Sequence, residues 1–215
     1  MKCRKGISII GSMKKRWPAI LFALIFMLIF TACGKESVPE VTTIVVDEEG
    51  KVTHTIVEDF SDEDYDAEEL KGSIEEKIKD YNDHAGKDSA KLSRFEDKDG
   101  RLRVVVDYQT AEDFCEMNDA SPVFFYFYGT VEEAENKGIV PEVMLYKDGD
   151  VKNVSVNGTG IRKYPHRHFC VLMESAHVKL PYNILFCTEN VKVQGEGEAD
   201  VEIAEMGDKA YILME

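Results

Sequence analysis

Cysteine is scarce in this sequence, and its number is odd. The chain of 215 residues contains five cysteines, which cannot all be paired within one molecule. The sequence therefore implies no disulfide framework of the kind that stabilises small secreted scaffolds. A single bridge between Cys170 and Cys187, across strands expected to be neighbours, is the alternative to buried free thiols at these positions.

Basic residues are also scarce relative to acidic ones. The chain has 26 lysines and arginines against 41 aspartates and glutamates. Six of the basic residues and none of the acidic ones lie in residues 1–32, so residues 33–215 carry a formal charge of −21. Such a surface repels nucleic acid and anionic headgroups, which argues against both as partners. The acidity serves solubility, and it also leaves a cation or a basic partner as a ligand.

Recognisable catalytic motifs are absent from residues 33–215. The segment has no nucleophile elbow, paired-histidine zinc motif, phosphate-binding glycine loop or Ser-x-x-Lys pattern. We therefore expect a non-enzymatic module that binds an envelope protein, a glycan or a small ligand. An enzyme whose catalytic residues are dispersed along the sequence is the alternative, and no cofactor is predicted apart from the zinc considered below.

The first 32 residues have the pattern of an export signal. Six basic residues up to Arg16 precede the apolar run Trp17–Phe30. This run is shorter than the roughly 20 residues of a membrane-spanning helix, and no basic stop-transfer residues follow it. We expect residues 1–32 to be removed, and Met13 is an alternative start that would give a more compact signal.

A cysteine follows the apolar run directly. The segment Phe30-Thr31-Ala32-Cys33 resembles the lipobox of bacterial lipoproteins, although Phe30 stands where leucine is usual. The resemblance implies that Cys33 is diacylated, for example with palmitate, and that the mature chain is anchored on the outer face of the cytoplasmic membrane. Two acyl chains give a stable anchor where one gives only marginal binding. The mature domain resembles uncharacterised lipoproteins of Gram-positive anaerobes, which implies no activity.

The remaining chain divides into a short tether and one domain. Residues 33–40 are polar and interrupted by Pro39, whereas residues 41–215 have the length and composition of a single acidic globular domain. Three turns, Asp47–Gly50, Asp97–Gly100 and Lys147–Gly149, each separate two runs rich in β-branched residues. This pattern predicts three β-hairpins.

Helical spacing is confined to the first part of the domain. Leu70, Ile74, Ile78 and Tyr81 predict one long amphipathic helix over about 66–83. Two shorter helices are predicted, one beginning at Thr110 and one within Gly129–Gly138 with Thr130 as its N-cap. The last fifty residues predict short strands, which gives an α+β fold with antiparallel sheet. The predicted strands are His168–Glu174, Ile184–Thr188, Val191–Gln194, Val201–Ala204 and Ala210–Met214.

One segment suggests metal chemistry. His166, His168 and Cys170 alternate, and residues two apart on a strand share a face. Imidazole and thiolate are suitable ligands for zinc or copper, and His177 could supply a fourth. The segment lacks a standard zinc spacing, so the competing interpretation is an exposed basic patch beside a buried thiol.

An acidic run before the first helix suggests calcium. Asp62-Glu-Asp-Tyr-Asp66 places carboxylates at alternating positions, as the start of a calcium loop does. Ala67 and Ser73, however, stand where that loop needs glycine and glutamate. The simpler interpretation is an acidic approach to the helix, stabilised by the helix dipole.

The chain also has one aromatic run. Val123-Phe-Phe-Tyr-Phe-Tyr128 is typical of a strand buried on both faces. A platform for sugar rings is the alternative. In either case the tyrosines could line the edge of a pocket.

Overall fold

The structure, a computed structural model, describes residues 39–59, 66–118, 126–139 and 141–215. The predicted signal, Cys33, most of the Asp62–Asp66 run and the start of the aromatic run lie outside these residues. Residues 39–215 belong to one compact unit. Of the helices in the described ranges, none combines the length and the apolar character needed to cross a bilayer.

Seven strands form the larger sheet. They are β1 (Thr43–Val46), β2 (Val52–Asp59), β3 (Ala90–Lys98), β4 (Arg101–Tyr108), β9 (Ala176–Lys179), β11 (Val191–Gly195) and β12 (Glu198–Val201). Their order across the sheet is β11-β12-β9-β1-β2-β4-β3. Neighbours are antiparallel except β1 and β9, which are parallel and pair Thr43 with His177.

Six strands form the second sheet. They are β5 (Phe127–Thr130), β6 (Leu145–Tyr146), β7 (Ser155–Val156), β8 (His168–Leu172), β10 (Ile184–Cys187) and β13 (Ala210–Met214). Their order is β5-β8-β13-β10-β6-β7, and all neighbours are antiparallel. Among the strands of the described residues, β5 therefore lies at the edge of this sheet.

Capping side chains determine where the helices begin. The described α helices are α1 (Ala67–Ala85), α2 (Ala111–Asn118), α3 (Val131–Asn136) and α4 (Gly158–Ile161). Asp66 accepts hydrogen bonds from the first-turn amides of α1, and Thr110 Oγ1 accepts one from Asp113 N at the start of α2. Thr130 forms a reciprocal capping box with Glu133 at the start of α3. These contacts satisfy amides that have no partner inside the helix.

The core consists of two hydrophobic clusters. The larger one joins the inner faces of both sheets with α2 and with Leu70, Ile74, Ile78 and Tyr81 of α1. The smaller one lies on the other face of the six-stranded sheet, around Phe169, beneath residues of α3 and α4. The six-stranded sheet is consequently covered on both faces, since alternate residues of β8 enter different clusters.

The start of the domain is held by an ion-pair contact. Glu40 Oε2 accepts hydrogen bonds from Arg101 Nη1 at 3.1 Å and Arg103 Nη2 at 2.8 Å. Both arginines belong to β4. The first described residues are thereby fastened to the larger sheet.

Comparison with the sequence predictions confirms a mixed α and β domain with mainly antiparallel strands. The described residues form two sheets, and β9 was not predicted. The strand predicted over Val201–Ala204 is wrong in its bounds, because the strand spans Glu198–Val201. The third hairpin is reduced to two-residue strands around a 3₁₀ turn at Lys147–Gly149.

Cys170 and Cys187 form no bridge. Both thiols are free and buried. Strand β13 lies between their strands, and Ile212 pairs with each of them, so the expectation that their strands are neighbours was wrong. Two strand spacings of about 4.8 Å exceed the roughly 7 Å that a disulfide can span between Cα atoms.

Candidate binding groove

The residues proposed for zinc lie in three different environments. His166 is exposed in the turn before β8, His168 is half-buried at the start of β8, and Cys170 is buried in the core. Burial raises the pKa of the Cys170 thiol, which keeps it protonated at neutral pH. Within the ranges that the structure describes, no group of three histidine, cysteine, aspartate or glutamate residues is placed to hold a metal ion. The zinc site stays a prediction.

The His168 ring takes part in an aromatic stack. Its centroid lies 4.0 Å from that of Tyr182, with the planes 17° apart, and 6.0 Å from that of Tyr128. Its Nδ1 lies 3.3 Å from the backbone oxygen of Glu215. The histidine is thus held by packing and by a hydrogen bond.

His177 belongs to the other sheet. Its Nδ1 lies 2.8 Å from Asp200 Oδ1 on the neighbouring strand β12, and this hydrogen bond lowers the pKa of Asp200. The pair lines an open hollow of about 420 Å³ together with Glu40 and Arg101. His177 sits in the seven-stranded sheet and His168 in the six-stranded one, so the structure does not bring them together as ligands of one ion.

A larger groove runs along the edge strand β5. Its volume is about 450 Å³, and it lies between α2 on one side and α3 on the other. We call it the β5 groove. Its lining residues are Glu112, Cys115, Glu116, Tyr126, Phe127, Tyr128, Glu133, Lys137 and Ile139. The two tyrosines of the aromatic run therefore line a pocket, as the sequence suggested they could.

Carboxylates dominate the charge of the β5 groove. Of the lining residues that the structure describes, three are glutamates and one is a lysine. Glu133 Oε2 accepts hydrogen bonds from Thr130 N at 2.7 Å and Thr130 Oγ1 at 3.0 Å, and these bonds lower the pKa of Glu133. Glu116 Oε2 accepts from Tyr81 Oη at 3.3 Å. Two of the three carboxylates are thus restrained by contacts within the protein.

Gly129 allows Glu133 to approach the strand. A Cβ atom at this position would lie 2.7 Å from Glu133 Oε2 and 3.0 Å from Phe127 Cζ. Both distances are shorter than ordinary van der Waals contacts, so any larger residue would displace the carboxylate or the ring. The glycine therefore lets the Glu133 carboxylate lie close to the Phe127 ring, and both of these side chains line the β5 groove.

Tyr126 connects the groove to a buried polar network. Its hydroxyl donates to Glu174 Oε2 at 2.9 Å, and His54 Nε2 lies 3.2 Å from the same oxygen without good hydrogen-bond alignment. The ring of Phe114 contacts both His54 and Tyr126, with centroids 5.4 Å and 5.0 Å away. His54 is only 3% exposed. Tyr126, which lines the groove, is therefore held in place by Glu174 and Phe114 in the interior.

The charges in this network are set by burial and by hydrogen bonds. Burial alone would raise the pKa of Glu174, but the contacts from His54 and Tyr126 lower it overall, which keeps the carboxylate ionised at neutral pH. Burial, together with the adjacent Glu174, raises the pKa of Tyr126. The phenol stays neutral and serves as the hydrogen-bond donor.

Sequence reasoning missed the charged residues of the β5 groove. Glu112 and Glu116 are four residues apart on α2, and Glu133 and Lys137 are four residues apart across α3 and its C-cap. This spacing places each pair on one helix face. The spacing could have indicated two charged helix faces, but not that both faces would line the same groove.

Comparisons with other proteins identify no family. Protein-family models, curated proteins and solved structures give no match to the chain. The β5 groove and the sequence pattern around Cys33 are therefore the basis of the functional proposal.

Proposed function

We propose that the chain is a lipid-anchored extracytoplasmic lipoprotein whose domain, residues 41–215, is a non-enzymatic binding module with the β5 groove as its ligand site. Export and membrane anchoring are supported by the basic and apolar segments at the start of the sequence and by the lipobox resemblance at Cys33. The partner is a component of the cell envelope, either a small ligand, a glycan or an exposed group of another protein.

The observation that carries the binding proposal is the construction of the β5 groove. Its volume of about 450 Å³ is within the range of small-ligand sites. Tyr126 and Glu133 are held by hydrogen bonds to Glu174 and Thr130, which reduces the ordering needed when a ligand enters. Aromatic walls with a few fixed polar groups are typical of recognition sites.

We also infer that α1 is an amphipathic helix that supports this site. Its apolar residues pack against the larger cluster, and only Ile78 among them is fully buried. Tyr81 Oη donates to Asp113 Oδ1 at 3.1 Å and reaches Glu116 on α2. Helix α1 therefore stabilises the helix that forms one wall of the groove.

Export and lipid anchoring are tested by expressing the full chain in a bacterial host and measuring its mass and its distribution between the soluble and membrane fractions. We expect loss of residues 1–32, addition of diacyl lipid at Cys33, and recovery in the membrane fraction. Cys33→Ala should abolish the lipid mass. An unmodified, uncleaved chain in the membrane fraction would overturn the proposal.

The groove is tested by thermal melting of the full chain in detergent with wall fragments and simple glycans. A ligand at a hundred times its Kd adds about 2.7 kcal/mol to the free energy of unfolding, which gives a visible shift. Tyr128→Ala should abolish a shift that Tyr164→Ala, an exposed tyrosine outside the groove, retains. A shift that both variants retain would place the ligand elsewhere.

The alternative function, a metal-binding protein or hydrolytic enzyme using His166, His168 and Cys170, is supported by His168 and Cys170 sharing a face of β8. Melting with zinc and with a chelator tests it. A zinc shift that His168→Ala removes would favour this alternative. A zinc shift unchanged in His168→Ala would contradict it.

A further inference from the structure

We infer that the β5 groove recognises an organic cation, namely an alkylammonium or quaternary ammonium group. This inference rests on the proposed function and names the ligand class of the same site. It follows from the charge of the groove, from its aromatic residues and from the position of one lysine.

The charge of the groove selects cations over anions. Glu112 and Glu116 on α2 and Glu133 on α3 all line the groove, and Lys137 is the one basic residue among its described lining residues. Glu133 stays ionised because hydrogen bonds from Thr130 stabilise its charged form. Residues 33–215 are also strongly acidic as a whole, so the field around the domain attracts cations towards this surface.

Lys137 shows how a cation fits the aromatic part of the groove. Its Nζ lies 5.9 Å from the centroid of the Phe127 ring, which is within the range of a cation–π contact. Lys137 is itself exposed, so its ammonium group can move into solvent and give up its contact with the Phe127 ring. An incoming ammonium group would take its place against the ring, beside the Glu133 carboxylate that lies close to Phe127, in a groove that Glu112 and Glu116 also line.

The aromatic rings are less suited to a neutral sugar. Phe127 and Tyr126 are only 5% and 6% exposed, so little of either ring face is open to a pyranose. A compact ammonium group needs a smaller area of ring than a sugar does, and it gains from carboxylates in a way that a neutral ring does not. Burial against a partly closed aromatic wall with negative charge on both sides favours the cation.

The test uses isothermal titration of the full chain in non-ionic detergent with choline as the probe. The control ligand is 3,3-dimethylbutan-1-ol, which has the shape of choline but no charge. We expect choline to bind at least tenfold more tightly than the alcohol, and its affinity to fall as sodium chloride is raised.

Matched variants locate the site. Glu112→Gln should weaken choline binding about fivefold, whereas Glu132→Gln, the same charge change on an exposed residue of α3 outside the groove lining, should leave it within twofold. Lys137→Met removes the competing ammonium group and should strengthen choline binding several-fold. Far-ultraviolet circular dichroism of each variant confirms that the fold is retained.

The outcomes separate this inference from the proposed function. If the alcohol binds as tightly as choline and Glu112→Gln has no effect, the cation inference is wrong while the groove can still be the ligand site. If choline binds but Glu112→Gln and Lys137→Met leave its affinity unchanged, the inference is overturned because the cation binds elsewhere. If choline does not bind at millimolar concentration, the inference is also overturned. Thermal melting with wall fragments then tests separately whether the groove is a ligand site.

Discussion

The two sheets bury their residues in different ways. In β8 of the six-stranded sheet, Phe169, Cys170, Val171 and Leu172 are all buried, because helices cover the face that does not meet the other sheet. In β4 of the seven-stranded sheet, buried residues alternate with more exposed ones such as Asp107. An antiparallel sheet can thus be covered on one face or on both within a single domain.

This difference explains where the groove lies. The doubly covered sheet has helices α2 and α3 beside its edge strand β5, and they supply the carboxylates of the groove. The outer face of the larger sheet instead carries polar pairs between neighbouring strands, such as the hydrogen bond of 2.9 Å from Thr53 Oγ1 to Asp107 Oδ1. Substitutions should therefore lower the free energy of unfolding strongly in the six-stranded sheet and only slightly on the outer face of the seven-stranded sheet.

The largest effect is expected at Phe169. The side chain is fully buried and packs against Phe127 and Tyr211. Phe169→Ala should lower the free energy of unfolding by about 4 kcal/mol, through lost burial and the cavity that remains. Urea unfolding followed by circular dichroism measures the change. A loss below about 1 kcal/mol would mean that the sheet is not packed on both faces.

A smaller, pH-dependent effect is expected at Glu174, between the two sheets. Its side chain is 21% exposed, and its pKa is lowered in the folded protein. A carboxylate with a lowered folded pKa contributes stability above its unfolded pKa of about 4.3, and the contribution is lost as pH falls through the folded value. Glu174→Gln should cost about 1–2 kcal/mol at pH 7 and progressively less below pH 4. Urea midpoints across this pH range check it, and a pH-independent difference would contradict it.

The capping box of α3 should contribute less. Thr130→Ala removes the acceptor for Glu133 N and one of the two hydrogen bonds to the Glu133 carboxylate, and it leaves the bond from the backbone amide of residue 130. We expect a loss of about 1 kcal/mol in thermal melting. The matched variant Thr130→Ser keeps the hydroxyl and should retain the stability, whereas equal losses in both variants would exclude the cap as the cause.

The smallest effect is expected on the outer face of the larger sheet. Asp107→Asn keeps one acceptor oxygen, so it can accept from Thr53 or Ser93 but not from both, and it alters a half-buried site. The expected loss is about 0.5 kcal/mol, which urea unfolding can resolve beside the Phe169 variant. A loss as large as that of Phe169→Ala would remove the contrast between the sheets.

Local features of the fold were predictable from the sequence. Thr130 was identified as an N-cap, and the hairpin around Asp97–Gly100 follows from turn residues between β-branched runs. These features depend on contacts between residues close in sequence. The predicted helix over about 66–83 lies within two residues of α1 at each end, because Asp66 and Gly86 act locally.

Long-range pairing was not predictable in the same way. Nothing in the segment Ala176–Lys179 indicates that it lies parallel to β1, more than a hundred residues earlier. Strand β13 between Cys170 and Cys187 likewise comes from the end of the chain. The candidate groove depends on the same kind of contact, since Glu112 and Glu133 line one groove only because β5 packs beside both α2 and α3. Periodicity describes one element at a time and carries no information on its partners.

The contact between Glu40 and the two arginines of β4 bears on how far the domain can travel. If Cys33 is lipidated as proposed, only six residues, 34–39, lie between the lipidated cysteine and Glu40, so that seven residue-to-residue steps join them. A fully extended segment of that length covers at most about 25 Å. The domain would then stay within a thin layer beside the bilayer, whereas a domain on a longer tether would reach further into the cell wall. Its ligands would be those that come close to the membrane surface.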